Sequence, residues 1–163
     1  MELTCELICK GFSLCDVEYT DFPIYYDISR ACYEKYVDEY FGDWVEESQI
    51  KMNRNSFDNK MKQTCFKKLL IDGLIVGFCA FDVQEGKIDG VMIQMLECAQ
   101  NKGIGSFYLG YIISLSNQQS KPIFLRTFMS NPAQNLYKRF GFIIYNKTVS
   151  HYLMKFVPES SIK

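Results

Sequence analysis

Two glycines separated by one residue, Gly103 and Gly105, follow an apolar run that ends at Leu96. Glycine adopts backbone conformations closed to other residues and lets a ligand approach the main chain closely. Apolar residues then recur at helical spacing, which predicts a helix beginning at Ile104. The first turn of a helix has unpaired N–H groups and the positive end of the helix dipole. Residues 100–105, Gln-Asn-Lys-Gly-Ile-Gly, are therefore predicted to bind a phosphate.

Two common phosphate-binding motifs do not fit this segment. The nucleotide P-loop requires a lysine before its Ser/Thr, and here Ser106 follows Gly105 directly. The dinucleotide fingerprint Gly-x-Gly-x-x-Gly would require glycine in place of Tyr108. The remaining pattern is Gln/Arg-x-x-Gly-x-Gly/Ala between a strand and a helix. Taken alone, this motif leaves open a glycine-rich turn without a ligand.

The composition indicates one globular domain with a small-molecule or protein partner. The chain has 163 residues, of which 48% are hydrophobic, which is enough for one substantial core. A net charge of −1 and a pI near 5.9 give no basic field for nucleic acid or for a membrane surface. No apolar run reaches the length of a membrane span, so we expect a cytoplasmic protein.

The cysteines do not predict a metal site or a catalytic nucleophile. Their number is seven, which is odd, and none forms a Cys-x-x-Cys pair, so reduced thiols are expected. A nucleophilic cysteine needs a nearby histidine, and the sequence has only His151. We expect that histidine to be a strand residue paired with its neighbours, although a catalytic role stays open. No metal is expected.

The N-terminal third is predicted to contain one strand and two helices. Residues 2–10 alternate as in a strand at a sheet edge. A helical pattern runs over residues 21–41, and a glycine follows it. Asp43 and Glu46 form a capping-box pattern that predicts a short second helix, ending where residues 53–59 interrupt the apolar spacing.

The middle of the chain predicts a three-stranded meander followed by a strand–helix–strand crossover. Strands are expected at 65–71 and 74–83, joined by an Asp-Gly turn, and at 87–96. The helix after the glycine motif should extend over 104–118, and a buried strand over 123–128.

A last helix and two strands complete the pattern. Asn131 is a predicted N-cap, Pro132 suits the first helical position, Gln134 would complete a capping box, and Gly141 would end the helix. Strands are predicted at 142–145 and 148–157. Residues 158–163 should form a loose tail of a single domain spanning 1–163.

These motifs and their order resemble the GNAT superfamily of N-acetyltransferases. The segment 100–105 resembles the coenzyme A pyrophosphate loop of that family. Residues 131–142 resemble its Asn-Pro-Ala-x-x-Leu-Tyr-x-x-x-Gly-Phe helix, and 150–154 are similar to the Thr-His-Tyr-Leu-Met strand of small bacterial members. Residues 97–99, Glu-Cys-Ala, differ from the Pro-Glu-Tyr usual in those relatives, which puts the local loop shape in doubt. The resemblance implies an α+β fold, a mostly antiparallel twisted sheet flanked by helices, in the order β-α-α-β-β-β-α-β-α-β-β.

The resemblance also implies acetyl-CoA as co-substrate. Family members transfer acetyl directly to an amine, and a backbone N–H of the third meander strand stabilises the oxyanion. The end of that strand would pair with the pantetheine arm, and the loop would hold the pyrophosphate. The expected cofactor-binding residues are Met95, Leu96, Gln100, Asn101, Lys102, Gly103, Ile104, Gly105, Ser106, Asn131 and Tyr137.

Two proton transfers need donors and acceptors. Tyr137, which matches the motif tyrosine, is the candidate acid for the leaving thiolate, and a packing role is the alternative. Asp89 and Glu97 are candidate bases, and a chain of water molecules could replace them.

The resemblance implies an acceptor site across the sheet from the cofactor, formed by the first two helices and the end strands. Tyr40 and Trp44 are the candidate substrate-binding residues, and the surrounding acidic residues would suit a cationic amine, unless they form only a solvated helix face. The acceptor would be a small-molecule amine or a protein amine, and the sequence leaves open a monomer or a homodimer. The alternatives are a CoA-binding module without turnover and an enzyme acting on protein N-termini or lysines. The acidic residues are Glu34, Asp38, Glu39, Asp43, Glu46 and Glu47.

Overall fold

The computed structural model describes residues 1–158, which form one seven-stranded sheet with helices on both faces. The helices are α1 (Cys5–Cys9), α2 (Phe22–Phe41), α3 (Glu46–Lys60), α4 (Ile104–Gln119) and α5 (Ala133–Arg139), and short 3-10 turns lie at Tyr19–Asp21 and Glu97–Ala99. The strands are β1 (Phe12–Asp16), β2 (Cys65–Ile71), β3 (Leu74–Val83), β4 (Ile88–Met95), β5 (Ile123–Phe128), β6 (Ile143–Lys147) and β7 (His151–Phe156).

The sheet has the strand order β1-β2-β3-β4-β5-β7-β6, and every neighbouring pair is antiparallel except β4 and β5. Two core clusters cover its faces. In one, Tyr108 and Ile112 of α4 pack with Ile123 and Met154 of the sheet. In the other, side chains of α2 and Phe57 of α3 pack against the opposite face. The predicted mixed fold with a mostly antiparallel sheet is confirmed.

The parallel strands β4 and β5 meet at one end and then diverge. Among residues 1–158 their register has a single pair, Ile88 with Ile123, and the Ile88 N–H donates to the Pro122 carbonyl at 2.9 Å. Beyond that pair, the edge of β4 that faces β5 has no strand partner. Parallel sheets usually continue their ladder, so this divergence opens a gap in the centre of the sheet.

The N-terminus forms a helix where the sequence predicted a strand. The Thr4 hydroxyl accepts a hydrogen bond from Leu7 N–H at 3.4 Å, and Leu7 is buried as the apolar anchor of α1. Gly11, with φ of 82°, turns the chain out of the helix into β1. The alternation in residues 2–10 was therefore misleading, but the first strand lies at the sheet edge as expected.

The second large helix is longer than predicted and is not capped by Asp43. Its N-cap is Val45, which makes no side-chain capping bond, while Glu46 instead accepts from Arg30 at 3.2 Å. The helix continues through the polar residues 53–59 because Phe57, fully buried, anchors it to the sheet. The burial of a single aromatic side chain thus keeps this segment helical, although its apolar residues lack regular helical spacing.

The rest of the element pattern agrees with the sequence within a few residues, with one difference in capping. The Asn131 carboxamide oxygen accepts from Ala133 N–H at 2.9 Å, as an N-cap does. Gln134 does not complete a capping box, because its side chain donates to the Met129 carbonyl at 2.7 Å. The last two strands are shifted, with a turn over residues 148–150. Of the predicted tail, Pro158 is buried and residues 159–163 lie outside the described part.

No helix within residues 1–158 is long and apolar enough to cross a membrane.

Candidate functional site

The gap between β4 and β5 opens into a cleft of about 2240 Å³. It extends from the loop before α4, past α5, to the space between the sheet and the helices α2 and α3. One continuous cleft therefore reaches both faces of the sheet at the point where the strands diverge, which is where open sheets containing parallel strands commonly bind ligands.

The loop before α4 presents a row of free backbone donors. From Asn101 to Ser106, six consecutive N–H groups have no hydrogen-bond partner within the described chain, and the first helical bond is from Phe107 N–H to the Gly103 carbonyl at 3.0 Å. Asn101 and Gly103 have φ of 59° and 97°, which turns successive amides toward one side. Such a nest at a helix N-terminus attracts anions.

Most of the predicted loop residues line the cleft, and two have specific roles of their own. Gln100 donates its side-chain amide to the Met95 carbonyl at 3.1 Å and so ties the loop to the end of β4. Lys102 does not line the cleft, and its carbonyl accepts from Lys10 at 3.2 Å. The lining residues among those predicted are Met95, Leu96, Gln100, Asn101, Gly103, Ile104, Gly105, Ser106, Asn131 and Tyr137.

The edge of β4 offers backbone groups to the cleft. Leu96 N–H donates to the Val76 carbonyl at 2.8 Å and therefore points toward β3. Because peptide groups alternate along a strand, those of Ile93 and Met95 point the other way, into the gap. The Met95 carbonyl is already bonded, since Cys32 also contacts it at 3.5 Å, but the N–H groups of Ile93 and Met95 have no strand partner.

Tyr137 lies in the cleft as a buried phenol. Its side chain is 9% exposed, and the hydroxyl makes no hydrogen bond within residues 1–158. Burial raises the pKa of Tyr137 to about 12, because the phenolate would lose its hydration. The residue therefore carries a proton at neutral pH and can donate a hydrogen bond to a group bound beside it.

The two candidate bases lie at opposite ends of the cleft. Asp89 lies at the start of β4, next to the residue that pairs with β5. It forms an ion pair with Lys87 and accepts a hydrogen bond from Gly90 N–H at 2.8 Å. Glu97 is exposed in the turn after β4. The two are eight positions apart in sequence, which at the rise of a strand corresponds to roughly 25 Å. The structure does not bring these carboxylates together.

The two predicted acceptor residues differ in position. Trp44 lines the cleft and donates its indole N–H to the Tyr26 hydroxyl at 3.1 Å. Tyr40 does not line the cleft, and its ring instead stacks on Phe128 with centroids 5.8 Å apart. Tyr40 thus supports a wall of the cleft from behind.

The acidic residues of α2 and α3 do not line the cleft, as the alternative of a solvated helix face would have it. Arg30 binds Glu34 at 2.9 Å and Glu46 at 3.2 Å on the outer surface, and Ser130 donates to Glu39 at 2.6 Å. The lining residues are instead predominantly basic. The ionised groups that line the cleft are Lys35, Lys60, Lys87, Arg126 and Arg139, with Asp89 and Glu97.

Sequence reasoning missed several polar residues of the cleft. Gln94 is 3% exposed, its side-chain oxygen accepts from the Ser29 hydroxyl at 3.1 Å, and its amide nitrogen has no partner among the described residues. The signal was present, because a glutamine inside the apolar strand 87–96 costs free energy unless it is satisfied. Tyr33 on α2 also lines the cleft, and burial raises its pKa well above the usual value.

His151 and Cys32 line the cleft but are not suited to nucleophilic catalysis. The His151 ring packs against Phe128 at a tilt of 33° with centroids 4.1 Å apart, and its Nδ1 lies 2.8 Å from the Ser150 hydroxyl. Burial, together with the charge of Arg126, lowers the pKa of His151. Burial also raises the pKa of Cys32 to about 11, so the thiol stays protonated.

Comparison with known proteins gives one family and one fold. The model of the acetyltransferase (GNAT) family matches residues 29–142. No curated protein matches the chain in sequence. Among solved structures, the PaiA N-acetyltransferase of Thermoplasma acidophilum, crystallised with coenzyme A, has a TM-score of 0.69 at 14% identity, covering 90% of this chain and 98% of the other.

Two further structures have the same fold. A Pyrococcus horikoshii protein has a TM-score of 0.70 at 21% identity, covering 91% of this chain and 99% of its own. The ribosomal-protein-S18-alanine N-acetyltransferase of Escherichia coli has a TM-score of 0.63 at 18% identity, covering 90% and 93%.

Proposed function

Because the chain belongs to the acetyltransferase (GNAT) family, whose reaction is acetyl transfer from acetyl-CoA to an amine, we propose that its cleft binds acetyl-CoA beside the free edge of β4. The protein is an acetyl-CoA-dependent N-acetyltransferase.

The row of free amides from Asn101 to Ser106 carries the proposal. Six N–H groups without partners match the oxygen atoms of a pyrophosphate, and the dipole of α4 adds positive potential at the same place. A side chain at Gly105 would crowd this end, since a Cβ there would lie 3.2 Å from the Leu136 side chain. The loop residues predicted from the sequence are thus assigned to the pyrophosphate, with Lys102 contributing only its backbone N–H.

The unpaired edge of β4 suits the pantetheine arm. The amides of that arm can bond the free peptide groups of the strand as an added strand would. The N–H groups of Ile93 and Met95 are then available either to the arm or to the acetyl oxygen, where they would stabilise developing negative charge. The side-chain oxygen of Asn131 caps α5, and its side-chain amide nitrogen can donate a hydrogen bond to the pantetheine arm.

Acetyl-CoA supplies the acetyl thioester when bound. Tyr137 is assigned as the proton donor to the leaving sulfur, because its phenol is protonated, buried and free of other bonds. Asp89 is engaged by Lys87 and lies far along β4 from Met95, so it is the weaker candidate base. Water in the open cleft is assigned as the base that removes the proton of the attacking amine. Of the two carboxylates, Glu97 is nearer to Met95 in sequence.

We further propose that the chain works as one domain in the cytoplasm. The seven cysteines are all free, and four of them are exposed, so they would be prone to oxidation in an oxidising compartment.

Two measurements test the proposed function together. Acetyl-CoA at a hundredfold excess over its Kd should stabilise the fold by about 2.7 kcal/mol, while ATP should have little effect. Thiol release from acetyl-CoA should then depend on an added amine. Protection by ATP but not by CoA would refute the loop assignment, and CoA binding without thiol release for any amine would identify a binding module without turnover.

A further inference from the structure

Two cations in the acceptor half of the cleft lack an ionic partner. Lys60, at the end of α3, and Arg126, on β5, both line the cleft. Neither forms an ion pair within the described residues, although six such pairs occur elsewhere. The Lys60 ammonium donates only to the Ser56 hydroxyl, at 2.6 Å, and the Arg126 guanidinium makes no hydrogen bond to residues 1–158.

The two charges act on each other across the cleft. Burial, and secondarily the charge of Arg126, lowers the pKa of Lys60 to about 8. The two acidic residues that line the cleft are Asp89, which is held by Lys87, and Glu97, which lies beyond the other end of β4. Lys60 is half-buried and Arg126 is exposed. Like charges that line one cleft disfavour each other, and a bound anion would compensate both at once. A guanidinium and an ammonium together are common ligands for a carboxylate.

A second unsatisfied group in the same cleft also favours a ligand with hydrogen-bond acceptors. The amide nitrogen of Gln94 is buried and has no partner in the described chain. Gln94 lies further along the diverging strands than Arg126, because within residues 1–158 the only parallel pair is Ile88 with Ile123. From that register, Arg126 is about three residues from the level of Gln94, or roughly 10 Å. The cations are therefore separated from the reacting end of the cleft.

We infer that the acceptor is an amine that carries a carboxylate several bonds away from the reacting nitrogen, and that Lys60 and Arg126 bind this carboxylate. The inference rests on the proposed function, since it names the substrate class of the same cleft. It replaces the cationic amine expected from the acidic residues of α2 and α3. Gln94 would bond a carbonyl or carboxylate oxygen of the same acceptor.

The test compares two amines that differ in one group, 6-aminohexanoate and hexylamine, with the full chain and saturating acetyl-CoA. The wild-type protein should have a higher kcat/KM for 6-aminohexanoate. Lys60→Met and Arg126→Met should each raise its KM by about ten- to a hundredfold, the range for losing one charge-assisted hydrogen bond, with the smaller change in kcat. The preference over hexylamine should fall by the same factor. Lys147→Met, which removes a positive charge from exposed β6 outside the cleft, is the control and should leave both amines unchanged.

Calorimetry with the reaction products measures acceptor-site affinity without requiring turnover. N-acetyl-6-aminohexanoate should bind the CoA complex more tightly than N-hexylacetamide, and the double variant should lose this difference. Equal binding of the two products, or equal use of the two amines, would overturn the inference while leaving the acetyltransferase function intact. Selective carboxylate binding without acetylation of any amine would support the anion site and count against the proposed function. A folded double variant that kept the preference would also overturn the inference.

Discussion

The side-chain amide of Gln100 donates to the carbonyl oxygen of Met95 at 3.1 Å, across the turn that connects β4 to the loop before α4. This bond fixes the distance between the free strand edge and the row of free amides. It gives a physical reason for a glutamine at the start of the motif, because the side chain shapes the loop and leaves the backbone to bind the ligand.

Removing this bond should weaken acetyl-CoA binding. Gln100→Ala should raise the Kd for acetyl-CoA about fivefold, which corresponds to one neutral hydrogen bond of about 1 kcal/mol. The effect should stay modest because Cys32 contacts the same carbonyl. Gln118→Ala, at an exposed position of α4, is the matched control. Equal Kd values for the two variants, measured by calorimetry, would show that the Gln100 side chain does not organise the loop.

A side chain at Gly105 should disrupt the loop from the other side. Gly105→Val would press on Leu136, next to Tyr137, and should raise the Kd for acetyl-CoA by about tenfold or more. A Cβ at Gly110, later in the same helix, would meet nothing within 4 Å, so Gly110→Val is the control and should bind normally. Thermal unfolding checks that both variants are folded. Normal affinity in a folded Gly105→Val protein would contradict the loop assignment.

The charge of Lys60 should make acceptor binding depend on pH. Its pKa of about 8 lies below the ordinary value of 10.5, so the ammonium is lost as pH rises through 8. The KM for 6-aminohexanoate should therefore rise about tenfold between about pH 7 and pH 9.5. Lys60→Arg keeps its charge over this range and should show a flatter profile. Parallel profiles for the two proteins would contradict a role for the Lys60 charge.

The same pKa has the opposite consequence for stability. Between pH 8 and 10.5 the unfolded chain binds more protons at Lys60 than the folded chain does. The free energy of unfolding should therefore rise with pH in this window through Lys60, while acceptor binding weakens. Denaturant unfolding at pH 8 and at pH 10.5 measures the change in the free energy of unfolding. The rise due to Lys60 should be present in the wild-type protein and absent in Lys60→Met.

The parts of the fold that the sequence predicted well have strong local signals. The meander follows from alternating apolar residues and the Asp72-Gly73 turn, where both residues have positive φ. Helix α1 was missed because a helix of five residues depends on one cap and one buried side chain, Leu7. Periodicity over so short a stretch does not separate a helix from a strand.

The acceptor site could not be predicted for a different reason. Lys60 and Arg126 are far apart in sequence, and only the packing of α3 over the sheet brings them to one cleft. The acidic residues of α2 and α3 are close in sequence, but helical spacing alone does not tell which polar face is turned to solvent. The cofactor loop could be predicted because its residues are contiguous in the sequence.

The role of Tyr137 is the central claim about the chemistry, and Tyr137→Phe tests it most directly. The hydroxyl has no hydrogen bond within the described chain, so its removal should leave stability and acetyl-CoA affinity nearly unchanged. The matched control is Tyr108→Phe, which deletes the bond from a buried tyrosine hydroxyl to the Ala80 carbonyl at 2.5 Å. That control should lose about 1 to 3 kcal/mol of stability and keep its turnover per folded molecule.

The deciding measurement is kcat for Tyr137→Phe with an acceptor for which the chemical step limits the rate. We predict that kcat falls by about 10²-fold with an unchanged Kd for acetyl-CoA, as expected when a positioned proton donor is lost. Full turnover of the folded variant under these conditions would contradict the assignment and leave solvent as the proton donor.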